Sequence, residues 1–317
     1  MSDPVPQELR FLIGPTAVGK SAAALALAAR TGVELVSLDS MQVYRGLDIG
    51  TAKPSAAERA RVPHHMLDLV GPEERFDVQR YLAELGPVAA DLARRGARAL
   101  FVGGTGFYLK ALTHGLFAGP PADLELRARL EGRWESEGGG ALHAELARVD
   151  PATAARVHAR DRKRVLRGLE VFAQTGRALS DWQREWGWHG RAAAPRAVRI
   201  AGLRCGMPEL EGRILRRTRA MLEQGWVEEA LRVRRAPGFG PTAIQALGYA
   251  EVLEWADGRR SRGDCEQAIA LRTRQFARRQ GTWWRKLDAR WFDAVPESSA
   301  GEPPADWLGE LARALDL

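Results

Sequence analysis

An α/β fold, a parallel sheet flanked by helices and interrupted by an all-helical insertion, is what three features of this sequence predict. Short apolar runs alternate with helical patterns in the first third. A glycine-bearing turn joins the first run to the first helix. After Gly115 the texture turns helical, and all ten tryptophans fall beyond residue 130.

Leu9–Ile13, Val33–Leu38 and Arg98–Val102 read as buried strands. Ser21–Arg30 and Phe76–Arg95 read as the helices between them, with Pro87 expected to kink the second. Helical patterns then run from about Leu124 to Gln183, with Asp150-Pro151 as an N-cap followed by proline and Thr175-Gly176 as a stop. Ala197–Leu203 returns the chain to the sheet, and amphipathic helices follow to about Lys286. Residues 297–304 read as a loop before a last helix, Asp306–Leu315. The expected domains are a core of residues 1–116 and 196–317 and an insertion of residues 117–195.

At 317 residues there is ample material for a core, and 45% hydrophobic with 27% charged residues is ordinary for a globular protein. No apolar run approaches the ~20 residues that cross a bilayer, and the N-terminus has no basic and apolar leader. Cys205 and Cys265 make no zinc framework and read as reduced thiols. A cytoplasmic monomer without an obligate protein partner is expected. The net charge of +7 is concentrated. Residues 259–290 carry ten basic groups against three acidic ones, and Arg156–Arg167 carries six against Asp161 alone. Charge grouped in this way suits a polyanion. Only five of the 47 basic residues are lysines (Lys20, Lys53, Lys110, Lys163 and Lys286), so each marks a place where a compact point charge is wanted.

Gly14-Pro15-Thr16-Ala17-Val18-Gly19-Lys20-Ser21 fits the phosphate-loop pattern GxxxxGK[ST], between a predicted strand and a predicted helix, which makes the sheet P-loop-type. Its glycines let successive N–H groups wrap an anion, Lys20 neutralises phosphate oxygens, and Ser21 is the expected Mg²⁺ ligand. Asp39 ends a neighbouring strand, where ligands of open α/β sheets bind. The loop alone fits ATP and a kinase as well as any other phosphate ester.

The blocks LDSMQVYRGLDIGTAKP (38–54), PHHMLDL (63–69), GGTGFYLKAL (103–112), LARVDPATAARVHARDRKRVLRGLEVFAQTGRALS (146–180), RILRRTRAMLEQGWVEEA (213–230), AIQALGYAEV (243–252) and RRQGTWWRK (278–286) resemble the tRNA dimethylallyltransferase family, over roughly residues 9 to 292. The resemblance implies transfer of a dimethylallyl group from dimethylallyl diphosphate to N6 of adenosine 37 in tRNAs reading codons that begin with U. It implies that Thr16–Ser21 hold the diphosphate, that Arg217 adds a cation, that Asp39 is the base for N6, and that Thr105 lies near the reacting centre. It implies further RNA contacts at Asp39, Ser40, Met41, Gln42, Arg127, Lys163, Arg164, Val165, Leu166, Arg167, Arg278, Arg279, Gln280, Thr282, Trp283 and Arg285. Of the adjacent Trp283 and Trp284, one is expected in the core, because neighbours on a helix do not share a face. Arg160 stands where the family usually has Asn, and Gly168 where it usually has Ala. A kinase, or a prenyltransferase acting on free adenine nucleotides, is the alternative; the second would have no need of the Arg156–Arg167 cluster.

Overall fold

The computed structural model describes residues 6, 8–116, 119–121, 123–185, 197–295 and 303–317. The expected loop at 297–304 and the edges of the expected insertion fall largely outside them. Contacts divide the chain into two units, residues 1–112 with 196–317, and residues 113–195.

The first unit is built on six parallel strands: β1 (Glu8–Ile13), β2 (Glu34–Leu38), β3 (His64–His65), β4 (Ala99–Gly103), β5 (Ala197–Arg204) and β6 (Arg290–Asp293), in the spatial order β3-β2-β4-β1-β5-β6. Four helices accompany the first four strands: α1 (Lys20–Thr31), α2 (Ala56–Arg61), α3 (Val78–Arg95) and α4 (Gly106–His114). The helix containing Pro87 is continuous, and it starts at Val78 because Asp77 caps it by accepting from Arg80 N. The two-residue β3 and the short β6 carry no apolar run long enough to announce a strand.

The second unit holds α5 (Leu124–Glu137), α6 (Gly139–Val149), α7 (Pro151–Ala154), α8 (Arg162–Thr175) and α9 (Leu179–Glu185). Asp150 caps α7 through Thr153 N at 2.9 Å with Pro151 in the first turn, and Gly176 closes α8 in the left-handed region. Its core is small: Leu130, Leu142, Leu146, Val165, Leu166 and Leu169. Gly168 belongs to that packing, since a Cβ there would lie 2.6 Å from Leu146 Cδ1. The helix interior gives up propensity and gains a close approach of α6 to α8.

Back in the first unit follow α10 (Met207–Glu223), α11 (Trp226–Arg235), α12 (Tyr249–Ala256), α13 (Arg262–Trp284) and α14 (Ala305–Leu315). Alternation along the strands supplies both faces of the sheet. Phe11, Val36 and Phe101 pack with Tyr81, Trp226, Tyr249 and Trp284, whereas Leu12, Leu35 and Leu100 pack with Leu27, Ile214 and Leu308. Both cysteines are free, Cys265 buried and Cys205 partly so. Among the described residues no helix is long and apolar enough to cross a membrane.

Candidate active site

Strand register positions the site. Ile13 pairs with Gly103, and Gly103 with Leu38, so β1, β4 and β2 end level with one another. The segments that leave them, starting at Gly14, Gly104 and Asp39, therefore emerge side by side at the carboxyl edge of the sheet, where open α/β sheets bind ligands. A cavity of about 1040 Å³ opens there, lined by Thr16, Lys20, Asp39, Gln42, Gly104 and Arg217 among others.

The loop after β1 is wound tightly. Gly14 has φ 150° and leaves no room for a side chain, because a Cβ would sit 2.6 Å from the carbonyl oxygen of Leu203 on β5. Gly19 has φ 104° and caps α1 without a side-chain hydrogen bond, which leaves the helix N-terminus to an anion. Lys20 Nζ donates to the carbonyls of Gly14 at 3.0 Å and Pro15 at 2.8 Å. Burial and the charge of Arg217 pull the Lys20 ammonium down to about 7, against the opposing pull of Asp39. Arg217, on α10, donates from Nη2 to Thr16 Oγ1 at 2.8 Å, and burial lowers its pKa as well. Two costly cations thus face one cavity, and an anion between them would relieve both.

Asp39 sits in the turn after β2, its Oδ1 accepting from Met41 N at 2.8 Å. Burial raises its pKa, while the N–H groups of Met41 and Gln42 and the charges of Lys20 and Arg217 hold it down. On balance burial prevails and its pKa lies above the ordinary carboxylate value, which makes it a better proton acceptor than a carboxylate in water. Thr105, after β4, fastens this turn: its Oγ1 accepts from Ser40 N at 3.3 Å and its own N–H donates to Leu38 O. Gln42 is tied to Ser37 and to the carbonyls of Thr51 and Ala52, along the cavity wall.

The described residues include no cluster of three or more His, Cys, Asp or Glu that could cage a metal. The hydroxyl of Ser21, exposed at the head of α1, is a hard oxygen donor of the kind Mg²⁺ takes when phosphate oxygens complete its shell. A divalent cation arriving with a diphosphate therefore fits this chain.

Several residues expected to meet RNA do other work. Gln280 is 4% exposed, and its amide is spent on Thr16 N and Gly104 O. Val165 and Leu166 are core residues of the helical unit, so the block 163–167 offers outward only Lys163, Arg164 and Arg167. Arg127 and Arg167 are held by the buried Glu170 at 2.5 and 2.9 Å, and Arg167 also donates to Pro120 O at 2.7 Å. Trp284 is buried and Trp283 only partly, which agrees with one of the pair being core. Arg278, Arg279, Thr282 and Arg285 are exposed.

Three supports were not legible as such. Arg213, 3% exposed, donates to Val18 O of the loop at 3.0 Å and to Val295 O at 2.7 Å. Lys53 has a fully buried side chain that donates to Tyr44 O, Asp48 and Asp68 at 2.6–2.7 Å. Glu229 gathers the N–H groups of Asp48, Ile49 and Gly50 and the Tyr249 hydroxyl. These last two make the segment 44–54 a rigid wall, and the scarcity of lysine was the one signal that pointed at Lys53.

A glycine-bearing loop of the GxxxxGK[ST] pattern, two buried cations and a buried carboxylate, all at the carboxyl edge of a parallel sheet, define a P-loop group-transfer enzyme. Comparison with known proteins narrows that class. The IPP transferase family model matches residues 42–287, and the isopentenyl transferase model matches residues 7–68. The tRNA dimethylallyltransferase of Deinococcus radiodurans is 46% identical over 281 residues, covering 87% of this chain and 89% of the relative. That of Stenotrophomonas maltophilia is 44% identical over 293 residues, covering 89% and 91%. Among solved structures, the tRNA isopentenylpyrophosphate transferase of Bacillus halodurans superposes with TM-score 0.68 at 34% identity, over 98% of this chain and 97% of that one. A eukaryotic dimethylallyltransferase acting on tRNA gives 0.73 at 28% identity, over 92% and 75%. The chain belongs to the IPP transferase family.

Proposed function

We propose that this chain transfers the dimethylallyl group of dimethylallyl diphosphate to N6 of adenosine 37 in tRNAs that read codons beginning with U. The observation that carries this reading is that the Thr16–Ser21 loop and the Asp39 carboxylate line one cavity. A kinase would also want an acid beside its phosphates, so it is the family assignment that favours an allylic diphosphate as their owner.

The adenine amine is a poor nucleophile, because its lone pair is delocalised into the ring. Asp39 accepts an N6–H hydrogen bond, orients the amine and takes its proton as the N6–C1 bond forms. The C1–O bond breaks at the same carbon, and its electron pair leaves on diphosphate. The charge that develops there is met by the N–H groups at the head of α1, by Lys20 and by Arg217. Ser21 would hold Mg²⁺ together with the diphosphate, and the ion would supply further neutralisation of the leaving group. Adenosine 37 must leave its stack to reach the cavity, as a base modified in place does. Ser40, Met41, Gln42 and Thr105 surround the position beside Asp39 where it would enter.

The exposed Lys163, Arg164, Arg278, Arg279 and Arg285 suit the phosphates of an anticodon stem-loop. Arg127 and Arg167, steadied by Glu170, present a fixed edge to the same partner. Both substrates are polyanions of the cytoplasm, where we place the protein.

Deleting the gene in its host should remove N6-dimethylallyladenosine from hydrolysed tRNA. Wild-type protein should restore it and Asp39→Ala should not. Unchanged modified nucleoside in the deletion strain would refute the assignment.

A further inference from the structure

The helical unit has a cavity of its own, of about 620 Å³, walled by Trp134, Gly139, Gly140, His158, Ala159 and Arg160. It shares no lining residue with the reaction cavity. Trp134 stands in the last turn of α5 and is only partly buried against the core of the unit. Gly138, at φ 83°, turns the chain into α6, whose first two residues are Gly139 and Gly140. A Cβ on Gly139 would lie 2.6 Å from the Trp134 ring and 2.6 Å from Ala159 O, so ring, backbone and loop meet closely there. A Cβ on Gly140 would meet nothing within 4 Å. Space is left at Gly140, with bare backbone as its floor.

The remaining wall is the turn between α7 and α8. His143 of α6 pins it, Nε2 donating to Ala154 O at 3.1 Å and Val157 O at 2.8 Å. Within the turn Asp161 N donates to His158 O at 2.8 Å, and His158 Nδ1 accepts from Arg160 N at 3.1 Å. With Nδ1 accepting, the neutral ring carries its proton on Nε2 as a donor. The chain itself thus holds an indole, an imidazole N–H and a guanidinium around one gap, and His158 and Arg160 are exposed.

Indole and guanidinium planes are surfaces on which an unpaired nucleobase stacks, and N–H donors suit the acceptors on its edge. The surrounding charge fits a polyanion. Arg156, Arg160, Lys163 and Arg164 are exposed along this turn and the start of α8, while the acids beside Trp134 are answered, Glu135 by Arg162 and Glu137 by Arg133, each at 2.7 Å. Resting on the function proposed above, we infer that this cavity is a second RNA subsite. It takes one unpaired base of the anticodon stem-loop, other than adenosine 37, stacked on Trp134 with its acceptors toward His158 and Arg160.

Two substitutions close the subsite differently. Gly140→Leu fills the gap from a helix position that has room for a side chain, and leucine is the better helix former. Trp134→Leu removes the stacking face and keeps an apolar side chain. The full chain would be titrated with an anticodon stem-loop carrying guanosine at position 37, intact and with each loop base in turn replaced by an abasic ribose. One abasic position should weaken wild-type binding about fivefold or more, the loss of one stacked base. Both variants should bind the intact RNA more weakly by a similar factor, and that same abasic position should then cost less than about twofold. Arg160→Asn should show a smaller form of both effects.

An abasic cost that persists at full size in both variants, each folded by circular dichroism, overturns the inference. So does a wild type in which no abasic position costs more than about twofold. Free AMP that binds the wild type as tightly as the loop does, and is refused by Gly140→Leu, would give the cavity to a mononucleotide and overturn the RNA assignment. Prenyl transfer to the adenosine-37 loop, measured in parallel, upholds the function proposed above whichever way the subsite falls. A wild type that neither labels nor binds the loop overturns that function and the subsite with it.

Discussion

The cavity of the first unit and the arginine-rich face of the helical unit use positive charge in opposite ways. In the cavity each cation is committed: Lys20 to two loop carbonyls, Arg217 to Thr16, and Arg213 to the backbone beneath. Burial depresses Lys20 and Arg217, so their charge is stored at a cost until an anion arrives. On the helical unit, Arg164 is 70% exposed and paired loosely with Asp161 at 3.5 Å, whereas Arg127 and Arg167 are anchored by Glu170. The first pattern stabilises charge appearing at one point. The second spreads charge for a partner whose phosphates can be met in several ways. Substitutions in the two regions should therefore fail differently.

The largest effect belongs to the cavity. Asp39→Ala should lower single-turnover prenyl transfer roughly 10²–10⁴-fold, the range for a lost general base, while RNA affinity stays within a few-fold. Turnover near the wild-type rate would remove Asp39 from the chemistry. Second comes the anchor of the helical unit. Glu170→Ala leaves two guanidiniums facing a buried gap and should cost about 3–5 kcal/mol in the unfolding of that unit, read by denaturant melts. An unchanged midpoint would mean that Arg127 and Arg167 need no anchor.

Third is a pH dependence peculiar to the cavity. Lys20 has its pKa lowered to about 7 in the free protein, and a bound diphosphate raises it by stabilising the ammonium. Binding therefore takes up a proton above pH 7. Above about pH 7 diphosphate affinity should fall by about tenfold per pH unit, until the pKa of the bound form is reached. Calorimetry in buffers of different ionisation heat would show the uptake, and a flat affinity from pH 6 to 9 would contradict it. RNA affinity has no such limb, because the arginines that meet it stay charged. The smallest effect is on the spread charge. Neutralising Arg278 and Arg279 should weaken RNA binding only several-fold in moderate salt and reduce the salt slope by about one per lost phosphate contact. An unaltered slope would leave those arginines as solvated surface.

The same contrast governs what the sequence could disclose. The phosphate loop is contiguous and its chemistry is local, so Gly14–Ser21 could be read with strand and helix on either side. Asp39 was legible as a strand-end carboxylate, and its role came with the blocks around it. Gln280 was not, because its partners lie 264 and 176 residues away and nothing near it in sequence marks a clamp. Val165 and Leu166 stand inside a basic block that the resemblance gives to RNA, yet Val165, Leu166 and Leu169 have the spacing of a buried helix face, and their side chains are core. The edge strands β3 and β6 stayed hidden for a different reason: they are defined by pairing with β2 and β5 rather than by composition.

The most direct test is incorporation of radiolabelled dimethylallyl diphosphate into an anticodon stem-loop with adenosine at position 37, with Mg²⁺ and without ATP. A guanosine-37 loop and free AMP serve as controls. Label in the adenosine loop alone is the predicted result, and would give the phosphates of the Gly14–Ser21 loop to a prenyl diphosphate. Label in AMP, or none anywhere on folded protein, would contradict it.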